Sequence, residues 1–123
     1  VLSVNVCDSA EFFTAKIGRI MNAFCKRYSR SLQWSPDDIN VVDGFVGSGY
    51  GLISEAEVSV IQRFAASEGI ILDPVYGAKA FAGMEHLLRS GKIPGTHILF
   101  IHTGGIFGIF PYGAEFAGRE NEI

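Results

Sequence analysis

The chain has 123 residues, 48% of them hydrophobic and only 19% charged, with a formal net charge of −3. This is one domain's length of chain with ample apolar material for a core, which excludes intrinsic disorder and a multi-domain layout. There is no basic run for nucleic acid and no apolar run of membrane-spanning length, and the two cysteines, Cys7 and Cys25, lack disulfide-framework or metal-ligand spacing; the expectation is a cytoplasmic protein with reduced thiols, no nucleic-acid or membrane partner and no metal.

The chain opens at Val1 without an initiator Met, inside the strand-like run Val1 to Cys7. A start in mid-strand leads us to expect a fragment of a longer protein. Asp8 or Ser9 can cap the next element. Phe13, Ile17, Ile20, Met21, Phe24 and Tyr28 then recur at helical spacing, which predicts an amphipathic helix from about Ala10 to about Arg30. Lys26, Arg27 and Arg30 complement its carboxyl-end dipole and read as solvated. Ser31 to Asp38 is a loop whose Trp34 is expected to cover the core edge, and Ile39 to Phe45 reads as a short extended segment.

The stretch Gly44 to Gly51, G-F-V-G-S-G-Y-G, holds four glycines in eight residues. It specifies unusual backbone angles or a close approach and cannot be regular structure. It lacks the Lys-Ser/Thr ending and strand-to-helix spacing of a phosphate-cradling loop. Ser54 and Glu57 form a capping box for a helix carrying Val58, Ile61 and Ala65, which Gly69 stops. Pro74 holds Asp73 out of the helical region, and Asp73 can cap a further helix whose buried face is Ala80, Met84, Leu87 and Leu88. Gly91 ends that helix, and a turn follows at 92–95.

Ile98 to Ile101 is an unbroken apolar run, expected as a buried parallel strand that breaks into His102-Thr103-Gly104-Gly105. Ligands of open α/β sheets gather outside the carboxyl ends of such strands. Ile106 to Tyr112 is apolar and is expected as a short buried helix or packed coil, and 113–123 as a polar, frayed tail. The order of strands and helices is an α/β pattern. Two strands cannot cover three or four helices, which again points to missing chain.

Candidate chemistry rests with Ser48, Tyr50, Tyr76, Lys79, His102 and Thr103. No serine-nucleophile elbow occurs. His86, His97 and His102 lack zinc spacing, and Lys79, at a helix start, reads as solvated or structurally paired.

G-S-G-Y-G at 47–51, L-D-P-V-Y-G-A-K-A at 72–80 and L-F-I-H-T-G-G at 99–105 occur in the order in which they stand in the pyridoxal-phosphate-dependent D-cysteine desulfhydrase and 1-aminocyclopropane-1-carboxylate deaminase family, which the chain resembles up to about Tyr112. The resemblance implies the C-terminal part of a three-layer αβα enzyme of the tryptophan synthase β-subunit type, with residues 1–112 as part of the cofactor-binding domain. It implies pyridoxal 5'-phosphate as cofactor, a small amino-acid substrate, and a homodimeric parent. It assigns Tyr50 and Tyr76 to the two active-site tyrosines and Thr103 to the pyridine nitrogen, with Gly104 and Gly105 admitting the cofactor close to backbone. Gly77 stands where deaminases of the family carry Glu and many desulfhydrases Thr, and Ala78 replaces a common glycine. A neutral Thr103 hydroxyl would not hold the ring as a pyridinium as a carboxylate does. Elimination of a good leaving group needs less of that electron sink than opening a cyclopropane. The expectation is therefore a D-cysteine desulfhydrase-like lyase that releases sulfide, pyruvate and ammonia. The alternatives are the ring-opening deaminase, a changed activity on the same fold, and a non-catalytic α/β ligand-binding module. The family's Schiff-base lysine and phosphate loop lie in the N-terminal part, so the chain alone is expected to be inactive.

Overall fold

A computed structural model describes residues 1–117. The apolar start forms β1, Leu2–Val4, which pairs in parallel with β2, Asn40–Val42, in the register Leu2↔Asn40, Ser3↔Val41 and Val4↔Val42. Asn5 extends the ladder by one bond to the Val42 carbonyl. Parallel neighbours need a crossover, and α1, Ala10–Tyr28, supplies it. Ser9 caps α1 by accepting the Phe12 N–H, and Ser29 closes it in the left-handed conformation. The Asp43 carboxylate, just past β2, accepts the Ala10 N–H and the Asn5 side-chain amide, which ties both strand ends to the helix start. Trp34 does cover α1: a Cβ at Gly18 would fall 2.7 Å from its ring, so only a bare backbone allows this contact.

The capping box at Ser54 starts α2, Glu55–Glu68, and Gly69 ends it at φ +69°. The next helix is α3, Gly77–Arg89, whose first N–H is taken by the Asp73 carboxylate. Gly83 lets α3 lie on β1, since a Cβ there would meet Val4 at 3.0 Å. Val60, Ile61, Leu72 and Ala78 form the core between α2 and α3, with Phe64, Phe81, Phe100, Ile109 and Phe116 packed around it. Arg63 bridges to Glu85 through both carboxylate oxygens and joins the outer faces of the two helices.

Three expectations are corrected. First, Ile98 to Ile101 is not a strand: among the described residues the sheet has two strands, and Leu99 is 86% and Ile101 66% exposed. Only Phe100 turns inward, edge-to-face on Phe81. An apolar run states a demand for burial, and ladder partners must meet it. Here the run faces β1 across a groove of ≈ 730 Å³ with no strand between them. Second, the apolar face of α1 is only partly covered: Phe13, Ile17, Met21 and Cys25 are half-buried and Gly18 lies under Trp34, whereas Ile20, Phe24 and Tyr28 stay exposed. Third, Ile106–Tyr112 is a 3-10 helix with Phe107 and Phe110 exposed, and the expected tail instead opens as α4, Gly113–Ala117, which places Phe116 on the core. The rest of that expected tail, 118–123, lies outside the described residues.

Candidate functional site

The two tyrosines reach one another from opposite supports. Tyr76 stands on the turn entering α3. Asp73, only 4% exposed, accepts the backbone N–H groups of Val75 and Tyr76 on one carboxylate oxygen and of Gly77 on the other, at 3.0, 2.6 and 2.6 Å. The free N–H groups of a helix start are thus satisfied by one buried carboxylate. Gly77 fits because a Cβ would lie 2.7 Å from Asp73 Oδ2.

Tyr50 stands on the glycine loop. Gly44, Gly47, Gly49 and Gly51 all have positive φ, so the loop has little intrinsic preference for this path. It is pinned from outside. Lys79, 1% exposed, donates from Nζ to the Val46 and Gly49 carbonyls at 2.5 and 2.8 Å. Tyr112 donates its hydroxyl to the Gly51 carbonyl. Behind the loop, burial pushes the Glu57 carboxyl up, but hydrogen bonds from the Ser54 hydroxyl, backbone N–H groups and the Lys79 charge outweigh it and hold the acid below its ordinary range.

The Tyr50 and Tyr76 hydroxyls are hydrogen-bonded to each other, with ring centroids 6.0 Å apart and planes at 69°. That bond is the main cause raising the Tyr76 phenol above its ordinary value, followed by burial, and then by nearby Tyr50, Cys7 and Asp73. The pair forms one wall of a mostly apolar cavity of ≈ 500 Å³ at the carboxyl end of β1, which Asn5, Cys7, Phe13 and Ile17 also line. The Asn5 amide nitrogen is spent on the Asp8 carbonyl and Asp43, while its buried Oδ1 accepts from no group among the described residues.

Thr103 lines the neighbouring groove together with Gly77, Tyr76 and Val4, so Tyr76 and Val4 border both spaces. Gly104 faces open space at φ +92°. Gly105 approaches a side chain: a Cβ there would fall 2.9 Å from the Cβ of Asp73. The His-Thr-Gly-Gly corner is thereby seated on the turn that carries Tyr76. Ser48 and His102 are not among the residues lining the cavity beside the phenol pair, and His102 accepts its own loop's Gly104 N–H. Sequence reasoning missed Asn5, Tyr112 and the grip of Lys79. A polar residue closing an apolar strand was a usable signal for Asn5; nothing local marked the other two. Among the described residues no group of three or more His, Cys, Asp or Glu is placed to hold a metal ion, and no helix is long and apolar enough to cross a membrane.

Comparison with known proteins gives the chain its family. Residues 5–104 match the family described as "Pyridoxal-phosphate dependent enzyme". A putative 1-aminocyclopropane-1-carboxylate deaminase of Thermotoga maritima is 41% identical over 111 residues, covering 89% of this chain and 34% of that protein. The D-cysteine desulfhydrase of Yersinia enterocolitica is 35% identical over 113 residues, covering 91% of this chain and 34% of that protein. A crystal structure described as an ACC deaminase homologue superposes with a TM-score of 0.81 at 34% identity, covering 95% of this chain and 34% of that one. The chain thus spans about a third of the length of the relatives it matches.

Proposed function

Because the chain belongs to the pyridoxal-phosphate-dependent enzyme family, with that family's α/β fold, we propose that it is the C-terminal part of a lyase of the D-cysteine desulfhydrase type, built as a three-layer fold like the tryptophan synthase β-subunit. This reading places the Schiff-base lysine outside these 123 residues and makes the chain inactive by itself. The observation that carries it is the Tyr50–Tyr76 phenol pair at the carboxyl end of β1, where ligands of α/β sheets bind.

The residues present fit a flat, polar-edged aromatic group. A mostly apolar cavity offers faces for a ring, and the buried Asn5 Oδ1 and two phenols offer groups for its edge. Tyr76, Gly77, Thr103, Gly104 and Gly105 are the residues proposed to hold the cofactor, with the Thr103 hydroxyl toward the ring nitrogen. Pyridoxal phosphate, when bound, supplies the electron sink that drains charge from the substrate α-carbon. The chain's own part is positional and protic. Two phenols bonded to each other share one proton between their oxygens and leave the second O–H free to donate. The raised Tyr76 phenol stays protonated and acts as a donor, not a base. Tyr50 and Tyr76 therefore hold and orient the substrate's departing group and hand it a proton. Gly77 brings no side chain to the ring and Thr103 brings no charge, which suits loss of a good leaving group.

The complete protein given D-cysteine is expected to release sulfide and pyruvate in equal amounts, and Tyr50→Phe to lower kcat by about a hundredfold. The 41% identical relative named as a putative 1-aminocyclopropane-1-carboxylate deaminase favours ring opening as the second reading. Formation of 2-oxobutanoate from that amino acid without sulfide from D-cysteine would select it. Absence of both reactions in cofactor-loaded protein removes the lyase assignment.

A further inference from the structure

We propose that Lys79 is a positioning residue that locks the Tyr50 loop onto the same helical turn that carries Tyr76, so that the two phenols meet.

The cost of burying an amino group sets the argument. Lys79 is 1% exposed, and a lysine so placed is stable only when its N–H groups are taken. Two of them go to carbonyls, of Val46 and Gly49, in a loop some thirty positions upstream. Gly49 immediately precedes Tyr50, so the pin sits one peptide from the phenol it governs. Between the two carbonyls, Gly47 occupies a slot that no side chain enters. A Cβ there would lie 2.9 Å from Glu57 Oε1 and 3.7 Å from Lys79 Nζ. The loop backbone thus passes close to a buried carboxylate on α2 and is held by the buried amino group on α3.

The placement on α3 gives this grip its consequence. Tyr76 and Lys79 are three positions apart at the start of one helix, on one face. Tyr76 is fixed to that turn by Asp73, and the Tyr50 loop is fixed to it by Lys79. The phenol–phenol distance is therefore set within a single rigid element. Without Lys79, a loop with four positive-φ glycines has many other paths. The amino group touches neither phenol, so it acts on the chemistry only through where Tyr50 stands.

This inference rests on reading the two phenols as the acting groups, and the experiment separates the two ideas. The complete holoenzyme is labelled with 3-fluorotyrosine, and the fluorine resonances of Tyr50 and Tyr76 are assigned with Tyr50→Phe and Tyr76→Phe. In wild type, the Tyr76 resonance is expected to titrate later than a free phenol; in Lys79→Met the delay is lost. Turnover is expected to fall about a hundredfold in kcat with little change in KM, as for misplacement of an acting group by about an ångström. In a Tyr50→Phe background, Lys79→Met is expected to add no further loss. A delayed Tyr76 titration that survives in Lys79→Met overturns the proposal, as does a full additional loss in the Tyr50→Phe background. Loss of the delay with unchanged turnover upholds the positioning role and instead removes the phenols from the reaction. If Lys79→Met does not fold, the wild type decides: the Lys79 Nζ protons are expected to exchange slowly, with couplings to the Val46 and Gly49 carbonyls, and exchange as fast as that of a surface lysine overturns the proposal.

Discussion

Tyr50 and Tyr76 end hydroxyl to hydroxyl, but the chain brings them there by opposite means. The 73–77 turn carries its own fastening: Asp73 satisfies three backbone N–H groups within four residues, Pro74 is buried beside it, and Gly77 leaves room for the carboxylate. The 44–51 loop carries little of its own: the Leu52 N–H closes one turn on the Gly49 carbonyl at 3.3 Å. Its glycines permit the path without favouring it, and its other fixings come from Lys79 and Tyr112, far away in sequence. A short-range fastening makes a turn that folds with its helix. A long-range one makes a loop whose shape exists only once the surrounding elements have packed, so the two phenols depend on different parts of the molecule.

Removing the local fastening should cost the most. Asp73→Ala leaves buried N–H groups without an acceptor and is expected to destabilise the protein by about 3–5 kcal/mol, read from the midpoint of urea unfolding. A loss under about 1 kcal/mol would show that the turn does not depend on Asp73. On the other side of the comparison, Gly47→Ala meets both a positive φ of +65° and the Glu57 carboxylate at 2.9 Å, whereas Gly44→Ala at φ +99° meets open space. The first should cost about 2–3 kcal/mol and the second about 1 kcal/mol, from backbone strain alone. Equal losses in the two variants would mean that nothing grips the loop at Gly47. The smallest effect is acidic. The Glu57 carboxyl lies below its ordinary value of 4.5 in the folded protein, so its contribution to stability is complete above that value. It is lost as pH falls through the lowered folded value. Unfolding midpoints should therefore drop more steeply below pH 4.5 in wild type than in Glu57→Gln; parallel curves would show that the Glu57 charge adds nothing to the folded state.

The local fastenings were also the legible part of the sequence. The Ser54–Glu57 box, the Asp73 cap, the Gly69 stop and the span of α1 all follow from signals within one or two helical turns. The α/β pattern followed from their order. Ile98 to Ile101 was misread because apolar character records a need for burial and is silent on whether neighbouring strands are present to supply it. Ile20, Phe24 and Tyr28 stay exposed for the same reason. Of the candidate site, Tyr50, Tyr76 and Thr103 stood among six candidates by residue type and position, and only a resemblance spread over three motifs singled them out and gave them roles. Lys79 was expected to be solvated or structurally paired, but its partners were out of reach, because they are backbone carbonyls, which every residue type offers alike.

The parallel pairing of β1 with β2 has a consequence in time. Asn5 and Asp43, which join the strand ends, stand 38 positions apart, and no hairpin can bring parallel strands together locally. Closing such a loop costs on the order of 3 kcal/mol of chain entropy before any contact repays it. The turn and helix that hold Tyr76 need no such closure. The cavity wall at Asn5 is then completed late in folding and opens early when the protein breathes. Hydrogen exchange should show it: the Asn5 amide, bonded to the Val42 carbonyl, is expected to exchange ahead of the interior amides of α3.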